Sequence, residues 1–150
     1  MAKFRLQPVL KLRKHREEAR KRELAVALGE ENRRKELALR LARLRQEQLQ
    51  EVRRAQQAGT LDIRSLIELK AYVGLLDRRI VEQLGLVAEA ERETAARREV
   101  LVAAMKDRKA LEVLERRHVE RLRGEEARRE TAELDEVGAR MHSPAAAARV

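Results

Sequence analysis

The chain has 150 residues, a single domain's worth, with 41% charged residues, 1% aromatic residues and a net charge of +9. With no Trp, one Phe and one Tyr it lacks the aromatic and β-branched side chains that a sheet needs. The mixture of Ala, Leu, Glu, Arg and Lys is that of long helices that bury a narrow seam and leave their other faces wet.

Cysteine is absent, which excludes disulfides and thiolate chemistry and is compatible with the cytosol. No apolar run approaches the ~20 residues of a membrane span. The first residues also lack the apolar core of a secretory signal. Basic and amphipathic, they could pass for a transit peptide, but Glu17 and Glu18 interrupt them and no Ser is present there. Charge is uneven along the chain. Residues 1–57 hold 17 Lys or Arg and 8 Asp or Glu, whereas residues 58–104 hold 7 and 8, and residues 105–150 hold 11 and 10. The first 22 residues alone carry nine Lys or Arg against two Glu. Such a patch steers the protein towards an acidic partner, with an effect that weakens as salt rises.

Helix one is expected over about residues 5–58. Pro8 suits a first turn, where its missing N–H has no partner to lose. Leu37, Leu41, Leu44, Val52 and Ala55 recur at helical spacing, while the stretch from Lys11 to Glu23 offers only Leu12 and Ala19. The turn falls at about residues 59–64. Gly59 fits the left-handed position past a helix end, and Ser65 with Glu68 reads as a capping box, with Asp62 as the rival N-cap. So short a connection makes the two helices antiparallel neighbours.

Helix two is expected over about residues 65–140. Leu66, Leu69, Val73, Leu76 and Ile80 step alternately by three and four, as the seam of a coiled coil does. The same frame continues through Gln83, Val87, Ala90, Thr94, Arg97, Leu101, Ala104, Arg108 and Leu111, and most of these positions are apolar. The fold class is therefore all-α, an antiparallel two-helix coiled-coil hairpin over residues 1–142, with rods of roughly 80 and 115 Å. Folding about residue 61 sets Leu69 opposite Val52, Leu76 near Arg45, Ile80 near Leu41, Leu111 near Leu10 and His118 close to Phe4. Beyond about residue 117 the second helix has no partner from the first and is expected to be mobile. Residues 143–150, Ser-Pro followed by four alanines and Arg-Val, read as a disordered tail.

Catalysis needs a nucleophile, an acid–base pair or a metal held in a pocket, and a two-helix rod is expected to offer none. The two serines, Ser65 and Ser143, sit at a cap and in the tail; His15, His118 and His142 are scattered; the glycines match no phosphate-binding spacing. The chain reads as no enzyme, with no cofactor and no metal. Lys11, Arg13, Lys14, Arg16, Arg20, Lys21 and Arg22 could neutralise phosphates. Against nucleic acid stand the hairpin break, which is wrong for a basic-region zipper, and the missing aromatics for stacking. Near the turn, Ile63, Ile67 and Leu75 fall off the seam and Tyr72 flanks it. Either they pack locally on helix one, or Tyr72, Leu75, Leu76, Arg79 and Gln83 form a docking surface.

Three blocks carry a family resemblance. They are KFRLQPVLKLRKHREEARKRELAVAL from Lys3, GTLDIRSLIELKAYVGLLDRRI from Gly59, and MKDRKALEVLERRHVERLRGEEARRETAELDE from Met105. In this order, and over nearly the whole chain, the sequence resembles the flagellar export protein FliJ family. The resemblance implies a cytoplasmic protein, peripherally associated with the inner-membrane export apparatus only through its partners. It implies a hairpin similar to the central stalk coiled coil of rotary ATPases. The terminal end would enter the hexameric flagellar export ATPase and another part would meet the cytoplasmic domain of the export-gate membrane protein, with export chaperones as further partners. On that basis Arg5, Lys11, Arg13, Arg16, Arg108, Lys109, Arg116, Arg117 and Arg121 are the expected ring-facing set, and Tyr72, Leu75, Leu76, Arg79 and Gln83 the gate-facing set. The chain has fewer Gln and more Arg and Ala than many relatives. The other readings are the equivalent stalk of a non-flagellar type III secretion system, a structural coiled coil that self-associates, and an anionic-membrane helix whose apolar face (Leu6, Val9, Leu10 and Leu12) is short.

Overall fold

The computed structural model describes residues 3–60 and 62–143. It is an antiparallel two-helix coiled-coil hairpin, α1 (Gln7–Gln57) followed by α2 (Ile63–Met141), with no strand among the described residues. No helix is long and apolar enough to cross a membrane. The segment read as a disordered tail, from Pro144 on, lies outside the described residues, as does Leu61 of the turn.

Both ends of the connection are capped, the first by backbone bonds and the second by a side chain. Gly59 takes φ 67°, where a side chain would be strained. There its amide donates to the Gln56 carbonyl (3.2 Å) and that of Thr60 to the Ala55 carbonyl (3.1 Å). This is the paired closure that satisfies the last carbonyls of a helix. Helix α2 opens at Ile63, three residues earlier than a cap at Ser65 would start it. Asp62, not Ser65, is the N-cap: its carboxylate accepts the Ser65 amide at 2.7 Å, which leaves Ser65 in the first turn. That amide first, and the Ser65 hydroxyl second, hold the Asp62 carboxyl below its ordinary range. A carboxyl whose pKa falls on folding stabilises the fold above its unfolded pKa, and the gain fades as pH drops through the folded one. Asp62→Ala is therefore expected to lower Tm by a few degrees at pH 7, with the gap narrowing in thermal melts as pH falls below the ordinary carboxyl range.

The chain packs as two units, one built from Glu18–Ala103, the other from the chain up to Glu17 together with the chain from Ala104 on. In the first, every position of the expected α2 seam from Leu66 to Leu101 is buried or half-buried. Leu76 is 1% exposed. The facing line on α1 keeps the same alternating spacing through Arg20, Leu24, Ala27, Glu31, Arg34, Ala38, Leu41, Arg45, Gln48, Val52 and Ala55. It is polar at nearly half of these positions, so the seam is closed partly by ion pairs. Residues equally far from the turn meet: Arg45 with Asp77, Lys35 with Glu91 at 3.2 Å, and Glu23 with Arg97 at 3.3 Å. Lys35 first and the Thr94 hydroxyl second hold the Glu31 carboxyl low, and Arg20 first does so for Glu23. These pairs are solvated, so they set register more than they add stability.

In the second unit, Leu10, Arg13 and Glu17 line α1, and Ala104, Arg108, Leu111, Glu115, His118 and Leu122 line α2. Leu10 is 0% exposed. Glu17, only 4% exposed, pairs with Arg108, which also holds Glu112 at 2.8 Å. The seam runs about five residues further along α2 than residue 117, because Phe4, ahead of α1, still reaches His118. Past Leu122 each residue to Val137 is exposed.

Candidate functional site

The strongest concentration of one kind of chemistry lies at the terminal end, in the unit that joins the start of α1 to α2. Residues 3–16 contain six Lys or Arg and no acidic side chain. Helix geometry splits them into two classes. Arg5, Lys11 and Arg16, with Lys109, Arg116 and Arg117 on α2, are exposed. Arg13 is half-buried and tied to Asp107 at 2.7 Å. Arg108 is drawn into the seam, its protonation reinforced by Glu17 first and Glu112 second. Arg121 reaches the His118 Nδ1 at 3.2 Å and Glu125 at 3.9 Å. Of the nine expected ring-facing residues, seven therefore present charge outward and Arg13 and Arg108 are engaged within the unit.

A rod without a pocket was the expectation, and at this end it does not hold. Beside the Phe4–His118 ring contact, with centroids 5.6 Å apart, is an open groove of about 690 Å³. Its floor is Phe4, Pro8, Val119 and Leu122, and Lys3, Arg5 and Arg123 stand on its rim with Glu115 and Glu126. The non-helical Lys3, Phe4 and Arg5 form one wall of the groove against Pro8 of α1 and the 115–126 stretch of α2, and a pattern of helical periodicity cannot register that wall. Pro8 and Phe4 were the available signals. Among the described residues no group of three His, Asp or Glu is placed to hold a metal ion.

The expected gate-facing residues lie in the other unit. Tyr72, Leu75 and Arg79 are exposed, alongside Ile63 and Ile67. Leu76 points into the seam and is closed to an outside partner. Gln83 is a half-buried seam position whose Oε1 is shielded from water without a hydrogen-bond partner. Val81 and Leu84, at 69% and 55% exposure, add apolar surface that the sequence reading did not single out. They sit off the seam frame, where a search for the seam passes over them.

The model of the family described as flagellar FliJ protein matches residues 1–146. Among solved structures, a putative YscO homolog from Chlamydia trachomatis is similar at 21% identity, covering 95% of this chain and 96% of that one, with a TM-score of 0.47. No curated protein matches the chain.

Proposed function

We infer function from a plain premise: this chain belongs to the flagellar FliJ protein family, and is a type III export-associated protein. On that premise it is a stalk and adaptor of the flagellar export apparatus. Its terminal end meets the hexameric export ATPase, and its turn-proximal surface, with Tyr72, Leu75 and Arg79, meets the cytoplasmic domain of the export-gate membrane protein. The protein is cytoplasmic and reaches the inner membrane through these partners. The observation that carries this reading is the run from Lys3 to Arg16, six cations without one acidic side chain, most of them on the surface. A field of one sign speeds encounter with an acidic surface and fixes orientation, without any bond being made or broken in this chain.

The test is ATP hydrolysis by the cognate ATPase, titrated with this protein at low and high salt. Stimulation is expected to weaken with salt. Lys11→Glu, Arg16→Glu and Lys109→Glu together should raise the concentration needed for half-maximal effect by about tenfold or more. These three side chains are exposed and not part of the seam, so circular dichroism should find the triple variant folded. Hydrolysis and ring assembly unmoved by the protein at every ratio would remove the stalk function.

A further inference from the structure

Beyond Leu122, α2 changes character. The line that forms the seam is continued by Glu125, Arg129, Ala132 and Glu136, all exposed and without a large apolar side chain. The apolar residues move to another line, Ala127, Leu134 and Met141, again at coiled-coil spacing and with Val137 beside it. Leu134 is 71% exposed and Met141 is 74% exposed. The sign of charge changes too. Residues 124–143 carry six Asp or Glu against three Arg, next to a paired end that is strongly basic. One unit thus presents an acidic helix with an exposed apolar line, and a groove with an apolar floor whose rim carries Lys3, Arg5 and Arg123 beside Glu115 and Glu126.

We propose that these two features are complementary halves of one interface: the α2 overhang of one molecule docks in the Phe4–Leu122 groove of a second copy, and the second copy's overhang docks in the first. The helix runs about 28 Å past Leu122 to Met141. Two ends laid side by side in opposite directions therefore reach each other's grooves. With Val137 level with Phe4 of the second copy, Met141 falls at its Pro8, and Asp135 and Glu136 fall beside its Lys3 and Arg5. The two contacts are the same by two-fold symmetry, so the arrangement closes as a dimer and does not propagate into fibres. Seated in the groove, the overhang sets Glu133, Asp135 and Glu136 against Lys3, Arg5 and Arg123, whereas overhang on overhang alone offers those carboxylates no such cluster of cations. That difference selects the second copy's groove, not its overhang, as the occupant.

Sedimentation equilibrium of the full chain in about 20 mM salt should give a mass approaching twice the 17.4 kDa of the chain, falling towards the monomer in about 0.5 M salt. Leu134→Glu with Met141→Glu should leave a monomer of unchanged helicity. The decisive arm uses two charge-reversed chains. One carries Glu133→Lys, Asp135→Lys and Glu136→Lys; the other carries Lys3→Glu, Arg5→Glu and Arg123→Glu. Each alone should be monomeric, and an equimolar mixture should dimerise. A wild-type monomer at every concentration up to about 200 µM would overturn the proposal. So would a dimer that strengthens with salt, one indifferent to the Leu134 and Met141 changes, or reversed chains that fail to pair when mixed. None of these readouts involves the ATPase, so the dimer can fail while the stalk function stands, or the reverse.

Discussion

Leu76→Ala is expected to destabilise the protein by about 2–5 kcal/mol, and Leu10→Ala to do the same within its own unit. Both side chains are closed off from water, at 1% and 0% exposure. Truncating either one removes its transfer free energy and leaves a cavity. A two-helix seam has one layer of side chains, so no second shell of core stands behind the lost leucine. Partial collapse of the helices onto the gap is the only relief, and it keeps the cost away from the top of the range. At this chain length each kcal/mol corresponds to about 2–4 °C in Tm. Urea and thermal unfolding measure the loss, and amide exchange localises it, to Glu18–Ala103 for Leu76 and to the terminal unit for Leu10. The control is Leu84→Ala at 55% exposure, which should lie near the ±0.5 kcal/mol of ordinary surface changes. A Leu76 loss no larger than the Leu84 one would mean that the seam does not carry the fold.

The second helix was legible in the sequence because its seam is written in one alphabet. From Leu66 to Ile80 every third or fourth residue is aliphatic, and the frame set there still holds at His118, some forty residues on. The first helix was legible only in part. Its line continues from Val52 back to Leu10 without a skipped step, but through Arg45, Arg34, Glu31, Arg20, Glu17 and Arg13. Hydrophobic periodicity is silent on a charged seam position, since the same Glu reads as a solvated face until its partner is known. The partner lies 91 residues away for Glu17 and 94 for Arg13. The N-cap stayed open between Asp62 and Ser65 for a related reason: both suit a cap, and the choice rests on which backbone amide is left to be satisfied. The groove at the terminal end escaped because one wall of it, Lys3 to Arg5, is chain that is not helical, and the exposed Leu134 and Met141 escaped because they leave the seam frame after Gly124.

The charged seam leads to a sharper expectation at Glu17. Replacing Glu17 alone by Ala should lower Tm by about 5 °C or more, because Arg108 would keep its charge in a water-poor seam with its buried partner gone. Replacing Glu17 and Arg108 together by Leu should return Tm to that of the parent or above it, since matched apolar residues avoid the desolvation that the pair must offset. A double variant less stable than the single one would show that the pair itself stabilises the end of the hairpin. Salt separates this layer from the pairs around it. The exposed Arg13–Asp107 bridge should contribute little, and nothing measurable in about 1 M salt, whereas the Glu17 effect should persist there. What the pair contributes is alignment. A slip of one heptad in either direction would set Arg108 against Leu10 or Leu24 and part it from Glu17. In a seam so poor in aliphatic residues, that mismatch holds the two helices in a single register where apolar contacts alone would discriminate weakly.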